Sequence, residues 1–233
     1  MASGMAQGMA PARVDHLVIA AHTLAQGVAW CSTVLGVEPG PGGEHVLMGT
    51  HNRLLALKDG THPLAYLEII AINPQAPAPG RRRWFDLDDP ALQSALREAP
   101  RLVHVVAQCE DAAQACAALS AQGIDRGPLL RASRQTAQGL LEWQITVRED
   151  GRRLFNGALP TLIQWGDTHP SGSLPERGLR LRALHATHPE AGALRAACQA
   201  MGLSALTVEE GRPNLVAVLQ TPRGTVRLES LGT

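Results

Sequence analysis

The chain has 233 residues, with 21 Lys and Arg against 21 Asp and Glu, 45% apolar residues and 3% aromatic ones. That hydrophobicity at zero net charge excludes a disordered chain and removes the broad positive footprint of a nucleic-acid binder. Two Phe, four Trp and one Tyr are too few for stacking platforms along a single strand.

No window nears the ~18 continuous apolar residues of a membrane span. Four cysteines (Cys31, Cys109, Cys116, Cys198) without a CxxC pair read as reduced thiols of a cytoplasmic protein. Residues 1–12, small and polar, are predicted to form a disordered N-terminal segment without the features of a secretory leader. The run from Val14 to Ala20 predicts a strand and Thr23 to Leu35 a helix closed by Gly36. A turn over Pro39–Gly43 leads to three further strands at His45–Met48, Arg53–Leu57 and Ala65–Ile72. A Pro-rich connection then carries the chain to Trp84, Phe85 and a predicted helix over Pro90–Glu98.

The order returns with strand Arg101–Ala107, helix Asp111–Gln122 stopped by Gly123, and strands Leu129–Ser133, Leu140–Val147 and Leu159–Trp165. After a connection holding Pro170, Gly172 and Pro175 it comes a third time. Strand Leu179–Ala186 and helix Glu190–Met201, stopped by Gly202, precede strands Ala205–Val208, Leu215–Gln220 and Thr225–Glu229. Repetition at roughly eighty to ninety residues marks a duplicated supersecondary unit. The division is a first βαβββ module over 13–73, a linker with a short helix over 74–99 and a second module over 100–167. A linker over 168–178 and a third βαβββ-like module over 179–230 complete the chain, and the fold class is α+β.

In the opening strands His16 and His104 sit among alternating apolar residues. Val14, His16 and Val18 are predicted to share one face, as are Leu102, His104 and Val106. Polar groups at core-like positions in two copies of one unit need partners.

Asp15-His16-Leu17-Val18, Gly49-Thr50-His51-Asn52, Tyr66-Leu67-Glu68-Ile69-Ile70, Trp84 to Asp86, Glu142-Trp143 and Leu159 to Trp165 carry a resemblance. Over roughly Val14–Asp167 the chain is similar to the glyoxalase-like domain proteins of the vicinal oxygen chelate (glyoxalase/bleomycin resistance/dioxygenase) superfamily. The resemblance implies two βαβββ modules edge to edge in a curved mixed-sheet cup, with a divalent metal ion where the halves meet. It implies His16 and Glu68 from the first module, and His104 and Gln164 from the second, as metal ligands. Zn, Ni, Mn, Fe and Co all accept such nitrogen and oxygen donors. It also implies Glu68 as the catalytic base. Enzymes of the glyoxalase I type carry a glutamate where this chain has Gln164, and an amide takes no proton at neutral pH. His51, Asn52, Trp84, Trp143 and Trp165 are the expected substrate-binding residues.

Structural readings stand beside these. His16 and His104 also read as core histidines bonded to neighbours, Glu68 as the partner of an arginine, and Gln164 as a hydrogen-bonding wall. His51 and Asn52 also read as a turn. His185 and His188, three apart on a strand, point to opposite faces and mark a strand-to-helix corner. In the third module Ala183 falls near the histidine position and Glu229 echoes Glu68, so a structural module is expected there. It is expected to cover the cup or to pair with another chain's copy.

The expected activity is that of a lyase or isomerase type of small-molecule enzyme. A divalent ion would bind vicinal oxygens and stabilise an enolate or oxyanion. The alternatives are a metal-free, ligand-sequestering protein of the bleomycin-resistance type and a decayed, non-catalytic member. The expected partners are a small molecule and a second copy in a homodimer, with neither nucleic acid nor membrane.

Overall fold

A computed structural model of the chain describes residues 10–136 and 139–232. Most of the predicted N-terminal segment, residues 1–9, lies outside the described residues. Strand β1 (Arg13–Ala20) is buried along nearly its whole length. Thr23 caps α1 (Leu24–Trp30) by accepting the Gln26 N–H at 3.1 Å, which satisfies one orphan donor of the first turn. A wider turn over Cys31–Leu35 extends the helix to Gly36, whose φ of 74° ends it.

Strand β2 is two residues, Glu44–His45, where a longer run to Met48 was predicted. The chain turns immediately after it, with the Met48 N–H on His45 O at 2.9 Å, and so buries Met48 while Val46 and Leu47 stay exposed. Strands β3 (Thr50–Ala56) and β4 (Tyr66–Ile72) complete the first unit. Helix α2 (Pro90–Glu98), capped by Asp89, precedes β5 (Arg101–Gln108), α3 (Ala112–Ser120), β6 (Leu129–Thr136), β7 (Gly139–Thr146) and β8 (Thr161–Trp165).

The eight strands form one curled sheet in the order β2-β3-β4-β1-β5-β8-β7-β6. Two halves meet edge to edge through the antiparallel pair β1–β5, and each last strand returns parallel to its own first strand, β4 beside β1 and β8 beside β5. The β1–β5 pairing sets His16 opposite Val106 and Val18 opposite His104, so the halves are related by a local two-fold in which His16 and His104 correspond.

The pairing skips Asp15 on β1 and Val103 on β5. Such bulges re-aim side chains, and the predicted alternation is corrected accordingly. Val14 and Leu102 join Leu17, Ile19, Val105 and Ala107 on the helix-covered face. Val18 and Ala20 pack with Val103, Val106, Ile163, Trp84 and Phe85 on the concave face.

The C-terminal part keeps the β-α-β-β-β order but is wound differently. Strands β9 (Arg180–Thr187), β10 (Leu206–Glu209), β11 (Asn214–Thr221) and β12 (Gly224–Glu229) form a second sheet in the order β10-β9-β11-β12. Helix α4 (Ala191–Ala200) crosses directly from β9 to its parallel neighbour β10, and the β11–β12 hairpin grows on the other side. Glu229 therefore stands on the far edge, bound by Asn214 Nδ2 at 3.0 Å and by Arg227, and not beside β9.

This sheet packs against the helix-covered face of the larger one, where Leu184, Leu194, Leu215 and Leu219 join Leu17 and Leu162 in one core. Each fully buried Leu there contributes roughly 1.5–3 kcal/mol of transfer free energy. The concave face is left for the site.

Candidate active site

On the concave face of β1 a buried carboxylate organises three donors. Asp15, 0% exposed, lies with Oδ1 2.6 Å from His16 Nδ1 and Oδ2 2.8 Å from Trp165 Nε1 and 3.0 Å from His169 Nε2. A carboxylate only accepts, so His16 carries its hydrogen on Nδ1. His169 Nδ1 accepts the Ser171 N–H at 3.2 Å, which leaves its Nε2–H for Asp15. Burial alone would push the Asp15 carboxyl up; the hydrogen bonds from His16 and His169 outweigh it and hold the group well below the usual carboxylate range.

With Nδ1 committed, His16 presents Nε2 to Glu68 Oε2 at 3.6 Å, beyond hydrogen-bond length. The two groups thus face one another unbonded, spaced so that one small reacting group can touch both. Glu68 comes from β4, 5% exposed, and its Oε1 accepts Asn52 Nδ2 at 2.6 Å. Asn52 is fixed in turn because its Oδ1 accepts the Gly43 N–H at 2.8 Å.

His45 Nε2 lies 3.3 Å from Asn52 Nδ2 and 3.7 Å from Glu68 Oε1. Burial lowers its pKa to about 4, so it is neutral at pH 7. Tyr66 stacks on His16 at 4.6 Å, and its hydroxyl is held protonated by burial and by the Asp15 and Glu68 charges.

Arg134, from β6, completes the ring; among the described residues its Nη1 is buried without a partner. The Gly42-Gly43 pair makes room for it. A Cβ at Gly43 would collide with the Arg134 guanidinium and one at Gly42 with Asn52.

His16, His45, Asn52, Tyr66, Glu68 and Arg134 line a cavity of about 30 Å³, enough for one or two water molecules. It shares Leu54, Arg134, Leu141 and Pro170 with a cleft of about 800 Å³. Trp84, Trp143 and Trp165 all line the inner cavity, Trp143 and Trp165 tilted against each other at 5.6 Å. His45 packs edge-on to Trp84 at 5.0 Å. Phe85 and Asp86, at φ 60° and 58°, are strained non-glycine residues; Asp86 is pinned by Arg153 Nε at 2.8 Å and by Gly151 O, which holds the Trp84–Phe85 wall in place.

The expected metal quartet is not assembled. His104, fully buried, has both nitrogens engaged. Nδ1 donates to Gly157 O at 2.8 Å, and Nε2 accepts the Thr161 N–H at 3.1 Å. Burial, with Arg126 and Arg153 nearby, holds it neutral.

Gln164 lies on the opposite face, where Oε1 accepts the Ala112 N–H of α3 at 3.0 Å. The registers show why. Glu68 pairs with Val18 on β1 and Thr161 pairs with Val106 on β5, so Thr161, not Gln164, occupies the position that corresponds to Glu68. Only His16 and Glu68 of the four converge, and the residues present do not fit a four-ligand centre. Among the described residues no group of three or more His, Cys, Asp and Glu side chains is arranged to hold a metal ion.

Asn52 stands in the site while His51, its neighbour on β3, does not. Asp15, His45, Tyr66, Arg134 and His169 were not among the predicted site residues. The bulge at Asp15, the turn after His45 and the partner of Arg134 leave no periodic signal. Burial pushes the Cys31 and Cys109 thiols up to about 12, so neither is a ready nucleophile.

Two βαβββ halves joined at β1–β5, with polar side chains on the concave face, define a protein of the vicinal oxygen chelate class. The chain belongs to the glyoxalase-like domain family, whose model, described as "Glyoxalase-like domain", matches residues 14–202. A crystal structure of a hypothetical protein from Staphylococcus aureus has the same fold, at TM-score 0.57 and 12% identity over 94% of this chain and 85% of that one. Methylmalonyl-CoA epimerase from Streptomyces coelicolor, in complex with 2-nitronate-propionyl-CoA, is similar at TM-score 0.40 and 16% identity, covering 66% of this chain and 98% of that one. The Mycobacterium tuberculosis epimerase matches at TM-score 0.38 and 15% identity, covering 70% of this chain and 92% of that one. A comparison with curated protein sequences returned no significant match. Among the described residues no helix is long and apolar enough to cross a membrane.

Proposed function

We propose that the chain is a small-molecule enzyme of lyase or isomerase type that moves a proton at a carbon beside a carbonyl group, with Glu68 and His16 as its acid–base pair. The observation that carries this reading is the 3.6 Å approach of Glu68 Oε2 to His16 Nε2 at the base of the cavity, each group held from behind. Glu68 takes the proton while the electron pair of the broken C–H bond moves onto the carbonyl group, and His16, its Nδ1–H held by Asp15, can accept that proton from Glu68 on the lone pair of Nε2 and return it to carbon. Asn52 keeps the carboxylate aimed, and Arg134 anchors an anionic group of the substrate. The divalent ion implied by the family resemblance enters no step here, because His104 and Gln164 are occupied elsewhere.

A second reading, a ligand-sequestering protein, is favoured by the three tryptophans of the inner wall and the wide cleft beside it. One experiment separates the readings. A panel of 2-oxo acids, hemithioacetals and acyl thioesters is incubated with the protein in D₂O and followed by proton NMR, with chelator or with added Zn, Ni, Mn, Fe or Co. Catalysed deuterium uptake that survives the chelator supports the proposal. Uptake that needs a metal overturns its metal-free form. No uptake, with saturable quenching of tryptophan fluorescence, favours sequestration.

A further inference from the structure

The second half of the sheet holds a different polar centre in place of the acid–base pair. Arg126, between α3 and β6, is 4% exposed. Its Nη2 donates to Thr161 Oγ1 at 2.7 Å, while Nε and Nη1 are buried with no partner among the described residues. The acids nearby are engaged or remote. Asp86 is bound by Arg153 at 2.8 Å and Asp150 by Arg148 at 2.7 Å, and the Asp125 side chain is 84% exposed. A buried guanidinium without a counter-charge is costly, and native folds rarely leave one so.

Against it lies a cavity of about 10 Å³, walled by Trp84, Phe85, His104, Thr146 and Thr161. That volume is on the scale of a single small particle, a water molecule or a monatomic ion. Arg148, Arg152 and Arg153 are shared between its wall and a wider cleft of about 380 Å³ that also meets Asp86 and Glu190 at the start of α4, which gives the small cavity a polar approach from outside.

We propose that this cavity is a binding site for a halide-sized monovalent anion, held by Nε and Nη1 of Arg126. The anion neutralises the guanidinium and braces Thr161 and His104 beneath the Trp84–Phe85 wall, which the active-site cavity shares. Burial and Arg148 lower Arg126 to about 10, so it still carries its charge at neutral pH.

Thermal unfolding of the full chain in sodium chloride, bromide and gluconate at one ionic strength tests this. A saturable rise in Tm with chloride or bromide over gluconate is expected, roughly 5–10 °C at a hundredfold excess over Kd. Arg126→Met is expected to lose that rise. Equal Tm in all three salts, or the same halide dependence in Arg126→Met, would overturn it, as would stabilisation by formate or phosphate but not by halide. Should Arg126→Met fail to fold, ³⁵Cl line broadening by the wild-type protein, reversed by bromide, decides together with anomalous scattering from bromide-soaked crystals. A bromide peak beside Arg126 supports the site, and peaks only elsewhere refute it.

Discussion

Thr161 occupies in the second half of the sheet the place that Glu68 holds in the first, and it spends its backbone N–H on the one histidine nitrogen that corresponds to His16 Nε2. The duplicated fold thus sets an imidazole and a carboxylate face to face in the first half, the pair proposed above to act as acid and base, and closes the corresponding histidine in the second. In the first half Asp15 and the bulge around it leave His16 Nε2 facing Glu68; in the second, Gly157 and Thr161 close both sides of His104.

His104 and Gln164 are therefore expected to matter for stability and not for chemistry. Gln164→Ala removes the partner of an α3 N–H and should cost about 1 kcal/mol. His104→Ala leaves buried groups unsatisfied and should cost about 1–3 kcal/mol or more. Urea unfolding measures both, and proton-exchange rates per folded molecule should stay near wild type.

Asp15→Asn should cost about 3 kcal/mol, because it weakens three buried hydrogen bonds at once. The folded carboxyl ionises below its ordinary range, so its contribution is complete above about pH 4 and is lost as the pH falls further. Urea midpoints of wild type and Asp15→Asn should differ by a constant amount at pH 5–7 and converge in stronger acid. Activity should fall as well, since His16 loses its orienting partner.

His45 acts in a higher pH window. Its ordinary value of 6.5 drops to about 4 in the fold, so between those values the unfolded chain binds the extra proton and acid destabilises the native state. At about 1.4 kcal/mol per pH unit the loss approaches roughly 3 kcal/mol at pH 4. His45→Gln should flatten the stability curve across pH 4–6.5 by about one proton, measured by urea titration at several pH values.

Arg134→Gln should raise KM for anionic substrates about 10- to 100-fold, the loss of one charged hydrogen bond, with a smaller change in kcat. Neutral analogues should be unaffected, and steady-state kinetics on a matched pair of ligands reads the difference.

The duplication was legible because strand, helix and glycine stop recur at a fixed spacing, and that pattern placed both histidines on corresponding strands. Bulges escape periodic reading. The skip at Asp15 moved Val14 to the helix side and brought the aspartate to His16, so the alternation predicted for Val14, His16 and Val18 broke at its first member. Gln164 has the polarity of a ligand, but facing is set by register, and three residues separate it from the position that counts. The third unit shows the same limit, since its element order was readable while the side of β9 on which β10 pairs depends on packing against α4. Arg134 and His169 reach the site from distant segments, a proximity that only the closed fold creates.

Glu68 is the group proposed to take the proton. The most direct test is the rate of deuterium exchange into an accepted substrate by Glu68→Gln beside wild type, with Tm recorded for both. A fall of about 10²–10⁴-fold in rate is expected, with Tm within a few degrees. Exchange at the wild-type rate in a folded Glu68→Gln protein would contradict it.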